Sequence, residues 1–263
     1  MVAGPLKPVR DALLVADRDL MRFWKMKYWL AGQVAMNLTD ILVFGTLFSL
    51  MVSKTIIQNY LSFVVPGVIA LTLFASAFSV GREVGVELRR EITQYLLSLP
   101  VGKAPLVFGR LLGGLARGLI YQAPFFLIAA AVAGPPKLLG IPVALLTSVL
   151  LGLTMSGISI ALTTLTRDFN LQATIRFVTY YVMFFFSNVF YPPSVLASRA
   201  PMLLPVINYS PLSVAVNVYR WCFNVTQGIT MGVAESLGLL AAWTAVLTVS
   251  AGLLYLWNLH RAT

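Results

Sequence analysis

Cysteine and histidine are almost missing from this 263-residue chain: Cys222 and His260 are the only copies. One thiol excludes a disulfide framework and a cysteine-built metal centre, and one imidazole excludes a histidine-based metal site or triad. Charge is scarce too. Only 11% of residues are charged, where a soluble domain carries about 25%. A phosphate-binding loop is also lacking, because Gly102-Lys103 is followed by Ala104 and has no glycine at the required upstream position. The first thirty residues are charged throughout and hold no clean apolar core, so no signal peptide is read there. No internal repeat is evident, which removes support for an inverted-repeat secondary transporter.

What is present is apolar: 59% of residues are hydrophobic, and the mean hydropathy is +0.85. That is the composition of an integral membrane protein. A transmembrane helix takes about 20 residues, so the length accommodates six spans in one all-α transmembrane domain over 1–263. The spans are expected at Trp29–Val52, Phe63–Gly81, Pro105–Ala133, Leu138–Leu165, Ile175–Tyr191 and Leu237–Leu259. With the N-terminus inside, fourteen basic residues fall on the cytoplasmic side. Four (Lys54, Lys137, Arg199, Arg220) fall outside, and Arg117 lies within a span. The positive-inside bias therefore puts both termini in the cytoplasm, in a multi-pass protein of the cell membrane. The net charge of +10 is read as contact with anionic lipid headgroups, not with nucleic acid, because the basic residues flank apolar runs.

Three connecting segments carry pattern of their own. Residues 5–28 read as an amphipathic interfacial helix, with Val9, Leu13, Ala16, Leu20 and Phe23-Trp24 on the apolar side. Residues 82–100 read as a second amphipathic helix. Val84, Leu88, Ile92, Tyr95 and Leu99 form its stripe, Glu83, Glu87 and Glu91 its charged side, and Pro100 its end. Held between two spans on the cytoplasmic surface, it is where a soluble partner pushes, with the glutamates as a docking rim and Leu96-Leu97 filling a groove. The third segment, 192–235, is too apolar for water and too interrupted by prolines to span. Short re-entrant helices are the expected solution.

Polar residues inside the spans are candidates for the translocation path. Gln33, Asn37 and Asp40 share one helix face, and Asp40 and Arg117 lie about 17 and 19 Å in from the cytoplasmic ends of parallel spans. An Asp40–Arg117 pair is expected, with either residue facing the path, or Arg117 snorkelling or pairing elsewhere, as open alternatives. The fifth span is thick with aromatics, among which Tyr181 and Phe184 are candidates for lining the path of an amphiphilic substrate. Gly109-x-x-x-Gly113 and Gly114-x-x-x-Gly118 allow close helix approach, more naturally within the chain than across a dimer seam.

Two ordered groups of residues resemble those of the membrane subunit of ABC-2 type exporters. The first is Arg82-Glu83-x-Gly85, then Leu96-Leu97-Ser98-Leu99-Pro100-Val101, then Gly109-Arg110. The second is Phe190-Tyr191-Pro192-Pro193, then Asn208-Tyr209-Ser210-Pro211-Leu212-Ser213, and Arg220. The sequence departs from the family pattern at Val86, where threonine is usual, and in the Tyr209-Ser210 pair that separates Asn208 from Pro211. The resemblance implies a homodimer or heterodimer of permease subunits, each docked on a cytoplasmic ATP-binding cassette subunit. It makes 82–100 the coupling helix, with Glu83, Glu87, Glu91, Leu96, Leu97 and Pro100 as the ATPase-coupling residues. The re-entrant segment becomes a cap over the outer end of the path. ATP and Mg then belong to the partner subunit; this chain holds no cofactor, no metal and no catalytic residue of its own, and moves a drug, lipid or lipid-linked glycan out of the cytoplasm. Two other readings compete. A secondary transporter or channel needs ionisable residues or broken helices at mid-membrane, where only Asp40 and Arg117 qualify. A membrane-embedded lipid-modifying enzyme needs clustered carboxylates or histidines at a membrane face, and the outer face offers Glu235 alone.

Overall fold

The computed structural model describes residues 7–25, 59–90, 102–166 and 168–261, with isolated positions between 28 and 57 and between 92 and 98. Its described elements are helical: α1 (Lys7–Lys25), α2 (Tyr60–Phe78), α3 (Val80–Arg89), α4 (Lys103–Ala133), α5 (Gly140–Thr164), α6 (Phe169–Phe185), α7 (Pro193–Arg199), a 3-10 turn at Pro201–Leu203, α8 (Leu204–Tyr209), α9 (Pro211–Cys222) and α10 (Val233–Arg261).

α2 forms the centre. Asn59 starts it by accepting from the Ser62 amide at 3.2 Å, and almost every residue from Tyr60 to Phe78 is buried. A helix apolar on all sides needs neighbours on all sides, and α4, α5 and α9 supply them. The main core follows from that placement: Phe63, Val64, Ile69, Phe74 and Phe78 meet Tyr121 and Phe125 of α4, Leu151 of α5 and Leu212 and Tyr219 of α9. A smaller core joins Val15, Val80, Val84, Leu106, Leu111, Ile160 and Tyr255. It lies where α1, α3, α4, α5 and α10 converge.

Among the described residues, four helical stretches are long and apolar enough to cross a membrane: Tyr60–Arg89, Lys103–Ala133, Gly140–Thr164 and Val233–Asn258. They coincide with the expected second, third, fourth and sixth spans. A fifth crossing is available if the pair Pro201–Tyr209 and Pro211–Cys222, bent by 73°, counts as one. The expected first span, Trp29–Val52, lies mostly outside the described residues.

The expected fifth span is displaced. Its helix begins at Phe169 and not at Ile175, because Asp168 caps it: Oδ1 accepts from the amides of Asn170 (2.7 Å) and Leu171 (3.0 Å). It ends at Phe185 and not at Tyr191, because the Asn188 amide donates to Ser213 Oγ at 3.0 Å and leaves the helical ladder. At 17 residues it falls short of the roughly 20 that a perpendicular crossing needs.

The second amphipathic helix also differs from expectation. Instead of a separate surface helix over 82–100, α3 follows α2 after a single turn residue, Ser79, and stops at Arg89, with Arg90 as its C-cap. Val80 and Val84 are fully buried and continue the apolar contact of α2, so the helical stretch runs on into the charged sequence. Ile92, Tyr95 and Ser98 are helical again beyond the break.

Candidate functional site

The densest polar chemistry lies where α1, α3 and α4 meet. α1 is three-sided. Ala12, Val15, Asp19 and Phe23, spaced three and four apart, form the buried side. Val9, Leu13 and Trp24 of the expected apolar stripe stay exposed, and Arg18 and Arg22 lie along a third edge. The buried side docks on α4 because α4 presents glycines there. A Cβ on Gly109 would stand 2.5 Å from Val15 Cβ and 2.7 Å from the Ala12 carbonyl oxygen, and one on Gly113 would stand 3.1 Å from Asp19 Cβ. Gly114 and Gly118 approach Ser156 of α5 and Leu73 and Ala77 of α2. Both glycine pairs therefore serve packing within the chain.

This approach brings Asp19 against Arg110. Arg110 Nη1 donates to both Asp19 carboxylate oxygens, at 2.6 and 2.8 Å, and its Nη2 donates to Glu87 Oε2. Glu87 also accepts from Arg18 (3.1 Å) and Arg22 (2.8 Å). One turn back along α3 from Glu87, Glu83 is gripped by Arg117, two turns beyond Arg110 on α4, through both terminal nitrogens at 2.6 Å each. Arg117 Nη2 also reaches the Asp19 carbonyl oxygen at 3.0 Å, and its guanidinium lies 5.4 Å from the Phe23 ring centre. Four arginines thus face three carboxylates. Asp19, Glu87, Arg110 and Arg117 are essentially removed from solvent, while Arg18 and Arg22 are 35% and 42% exposed.

A buried ionic cluster is weak evidence for stability, since desolvation offsets much of the attraction. Its geometry is the informative part. Glu87 is bonded from α1 and from α4, and Arg110 reaches α1 and α3, so none of the three helices can slide without breaking charge-assisted bonds in a water-poor site. The arrangement fastens the three helices to one another.

Several expectations are corrected here. Glu83 and Glu87, read as a docking rim, point inward and are consumed by arginines. Arg117, expected to pair with Asp40, is committed to Glu83; Asp40 and Asn37 lie outside the described residues, as do Glu91, Leu96, Leu97 and Pro100. Phe184, a candidate path residue, is only 7% exposed and packs 5.1 Å from the Phe190 ring. Tyr181 does stay exposed, in a ladder with Phe177 (4.6 Å) and Phe185 (6.1 Å). Sequence reading passed over Asp19 and Arg110 as site residues. The available signal was an acid set inside the stripe Ala12, Val15, Phe23, and an arginine beside the first glycine of a close-approach motif.

A second polar centre lies at the opposite end. Arg220 of α9, counted by sequence among the four basic residues on the non-cytoplasmic side, is fully buried. It donates to the carbonyls of Asn188 (2.7 Å), Val189 (3.2 Å), Phe63 (3.3 Å) and Gly228 (3.3 Å), with its guanidinium 3.8 Å from the Phe63 ring centre. Its neighbour Tyr219 bonds Gln122 of α4 and Ser148 of α5, each at 2.9 Å. These contacts fasten the proline-broken segment to α2, α4 and α5.

Residues 11–224 match the protein family described as ABC-2 type transporter, a stretch that contains both polar centres apart from Gly228. No curated protein matches the chain.

Proposed function

Since the chain belongs to the ABC-2 type transporter family, and is thereby a multi-pass permease of ABC-type transport, we propose that it is the membrane half of an exporter driven from the cytoplasmic side. The observation that carries this reading is the ionic junction of Asp19, Glu83, Glu87, Arg110 and Arg117. It ties the inner end of one span to the start of the next and to the N-terminal helix. A separate ATP-binding cassette subunit, holding ATP and Mg, engages the segment that follows α3. Its closure is passed through Glu87 and Glu83 to α4 and α1 as a rigid displacement. The positive-inside charge distribution supports cytoplasmic termini in the cell membrane, and the exposed aromatic face of α6 supports an amphiphilic cargo. Two copies of the chain, or one copy and a related permease, enclose the path between them.

Relative to the sequence reading, the glutamates change role. They do not touch the ATP-binding subunit; they hold the helix that does. The test is co-purification with a candidate ATP-binding cassette subunit, followed by export assays in proteoliposomes. ATP-dependent export by the pair and none by the chain alone is expected. Export by the chain alone down an ion gradient overturns the proposal.

A further inference from the structure

The two faces of α3 are chemically opposite. Glu83 and Glu87 turn toward α1 and α4 and are neutralised there. Arg82, Gly85 and Arg89 lie on the face toward α6, and the contacts form rungs between two antiparallel helices. The Arg89 guanidinium lies 4.4 Å from the Phe169 ring centre. One turn on, a Cβ on Gly85 would stand 2.6 Å from Gln172 Oε1. Carried on by the same register, Arg82, three residues before Gly85, comes level with Arg176, four residues after Gln172, near enough for the two positive charges to act on each other.

This rung is unlike a structural arginine contact. Neither side chain enters an ion pair among the described residues. The hydrogen bond found for Arg176 is a long one from Nε to the Gln172 carbonyl, 3.4 Å, which leaves both terminal nitrogens open. Among the described residues, the carboxylates on these two helices are occupied: Glu83 by Arg117, Glu87 by Arg22 and Arg110, and Asp168 by the amides that it caps. Arg82 is exposed and Arg176 half-buried, so the pair is reachable from outside the helix packing. Two neighbouring guanidinium groups with no counter-anion among the described residues repel, and a phosphate with several acceptor oxygens satisfies both. Immediately beyond Arg176 begins the exposed ring ladder Phe177, Tyr181, Phe185, an apolar surface suited to a hydrocarbon tail.

We propose that Arg82 and Arg176 form a binding site for the phosphate headgroup of an anionic amphiphile, whose tail lies along the Phe177–Phe185 ladder. This rests on the transport reading above and deepens it by naming the headgroup chemistry of what the permease admits.

The test uses the complete complex with its ATP-binding subunit in phosphatidylcholine nanodiscs, without ATP. Phosphatidic acid is titrated and followed by native mass spectrometry, with inorganic phosphate in a parallel arm. The expected result is saturable phosphatidic acid binding that Arg82→Gln and Arg176→Gln each weaken about tenfold, the loss of one charge-assisted contact. Arg10→Gln on α1 serves as control and leaves binding unchanged. Inorganic phosphate, lacking the tail, binds at least about a hundredfold more weakly. Arg176→Glu replaces repulsion from Arg82 by attraction, so it abolishes binding without lowering the melting temperature in phosphatidylcholine. Equal binding by wild type and the Arg82→Gln/Arg176→Gln double variant overturns the site. Inorganic phosphate binding as tightly as the lipid overturns the amphiphile, and failure of every variant to assemble makes the arginines structural and overturns the proposal as well. Binding that follows the two arginines in a complex that exports nothing with ATP contradicts the transport reading and leaves the site intact. Export with no such binding does the reverse.

Discussion

Arg110 Nη1 lies 2.6 and 2.8 Å from the two carboxylate oxygens of Asp19, a residue ninety-one positions earlier in the chain. The same guanidinium donates from Nη2 to Glu87, so one side chain closes three helices into one body. Removing it leaves buried Asp19 with only the 3.2 Å contact to partly exposed Arg18, while Glu87 keeps Arg18 and Arg22. Arg110→Met should therefore cost about 3–5 kcal/mol of stability, the usual penalty for an uncompensated buried charge. Arg22→Gln, at the solvent edge of the cluster, should cost no more than about 1 kcal/mol. Melting temperatures of the purified complex check both, and equal losses would place the cluster's energy at its rim.

Glu83 and Arg117 form the deeper half of the junction. A double-mutant cycle on Glu83→Gln and Arg117→Gln should return a coupling of about 1–3 kcal/mol, since both residues share two short charge-assisted bonds. The corresponding cycle on Asp40→Asn and Arg117→Gln should be additive within about 0.5 kcal/mol. Denaturation measured in the same detergent decides between the two partners.

The docking of α1 depends on a missing side chain. Gly109→Ala sets a methyl group against Val15 and the Ala12 carbonyl, overpacking that should cost about 1–3 kcal/mol. Gly238 in α10 has nothing within 4 Å of a Cβ position, so Gly238→Ala should be neutral or stabilising by up to about 1 kcal/mol. Limited proteolysis near residue 25 should accelerate in the first variant alone.

At the second polar centre, Tyr219→Phe deletes the hydroxyl shared by Gln122 and Ser148. It leaves the buried Gln122 amide without that acceptor, at a cost of about 1–3 kcal/mol. Arg220→Lys should destabilise further. An ammonium group lacks the planar fork that spans carbonyls from residues 63, 188, 189 and 228. Thermal unfolding of the two variants should rank in that order.

The long apolar runs from Phe63, Pro105, Leu138 and Leu237 were legible in sequence because hydrophobicity and length alone specify a span. The N-terminal helix was legible from its three- and four-residue spacing. The orientation of charged faces was not. Glu83 and Glu87 on a local pattern look like a solvated side, and only the long-range approach of Arg110 and Arg117 shows that they face inward. Asp19 reads locally as an interruption of the stripe through Val15 and Phe23, while in the fold it is the centre of the contact. The break at Arg90 was hidden as well, since the helical periodicity continues through it. Phe184 and Tyr181 have the same chemistry three residues apart; packing on Phe190 buries one and leaves the other at the surface.

The central claim is that the junction transmits force from ATP hydrolysis to the spans. The direct measurement is cargo exported per ATP hydrolysed, in proteoliposomes holding the full complex, for wild type and Glu87→Gln. Glu87→Gln keeps the hydrogen-bonding shape and removes the charge that binds α1 and α4 together. ATP hydrolysis within about twofold of wild type, with export per ATP reduced about tenfold, a loss of roughly 1.4 kcal/mol in coupling, is the predicted outcome. Unchanged export per ATP in a properly assembled Glu87→Gln complex would contradict it.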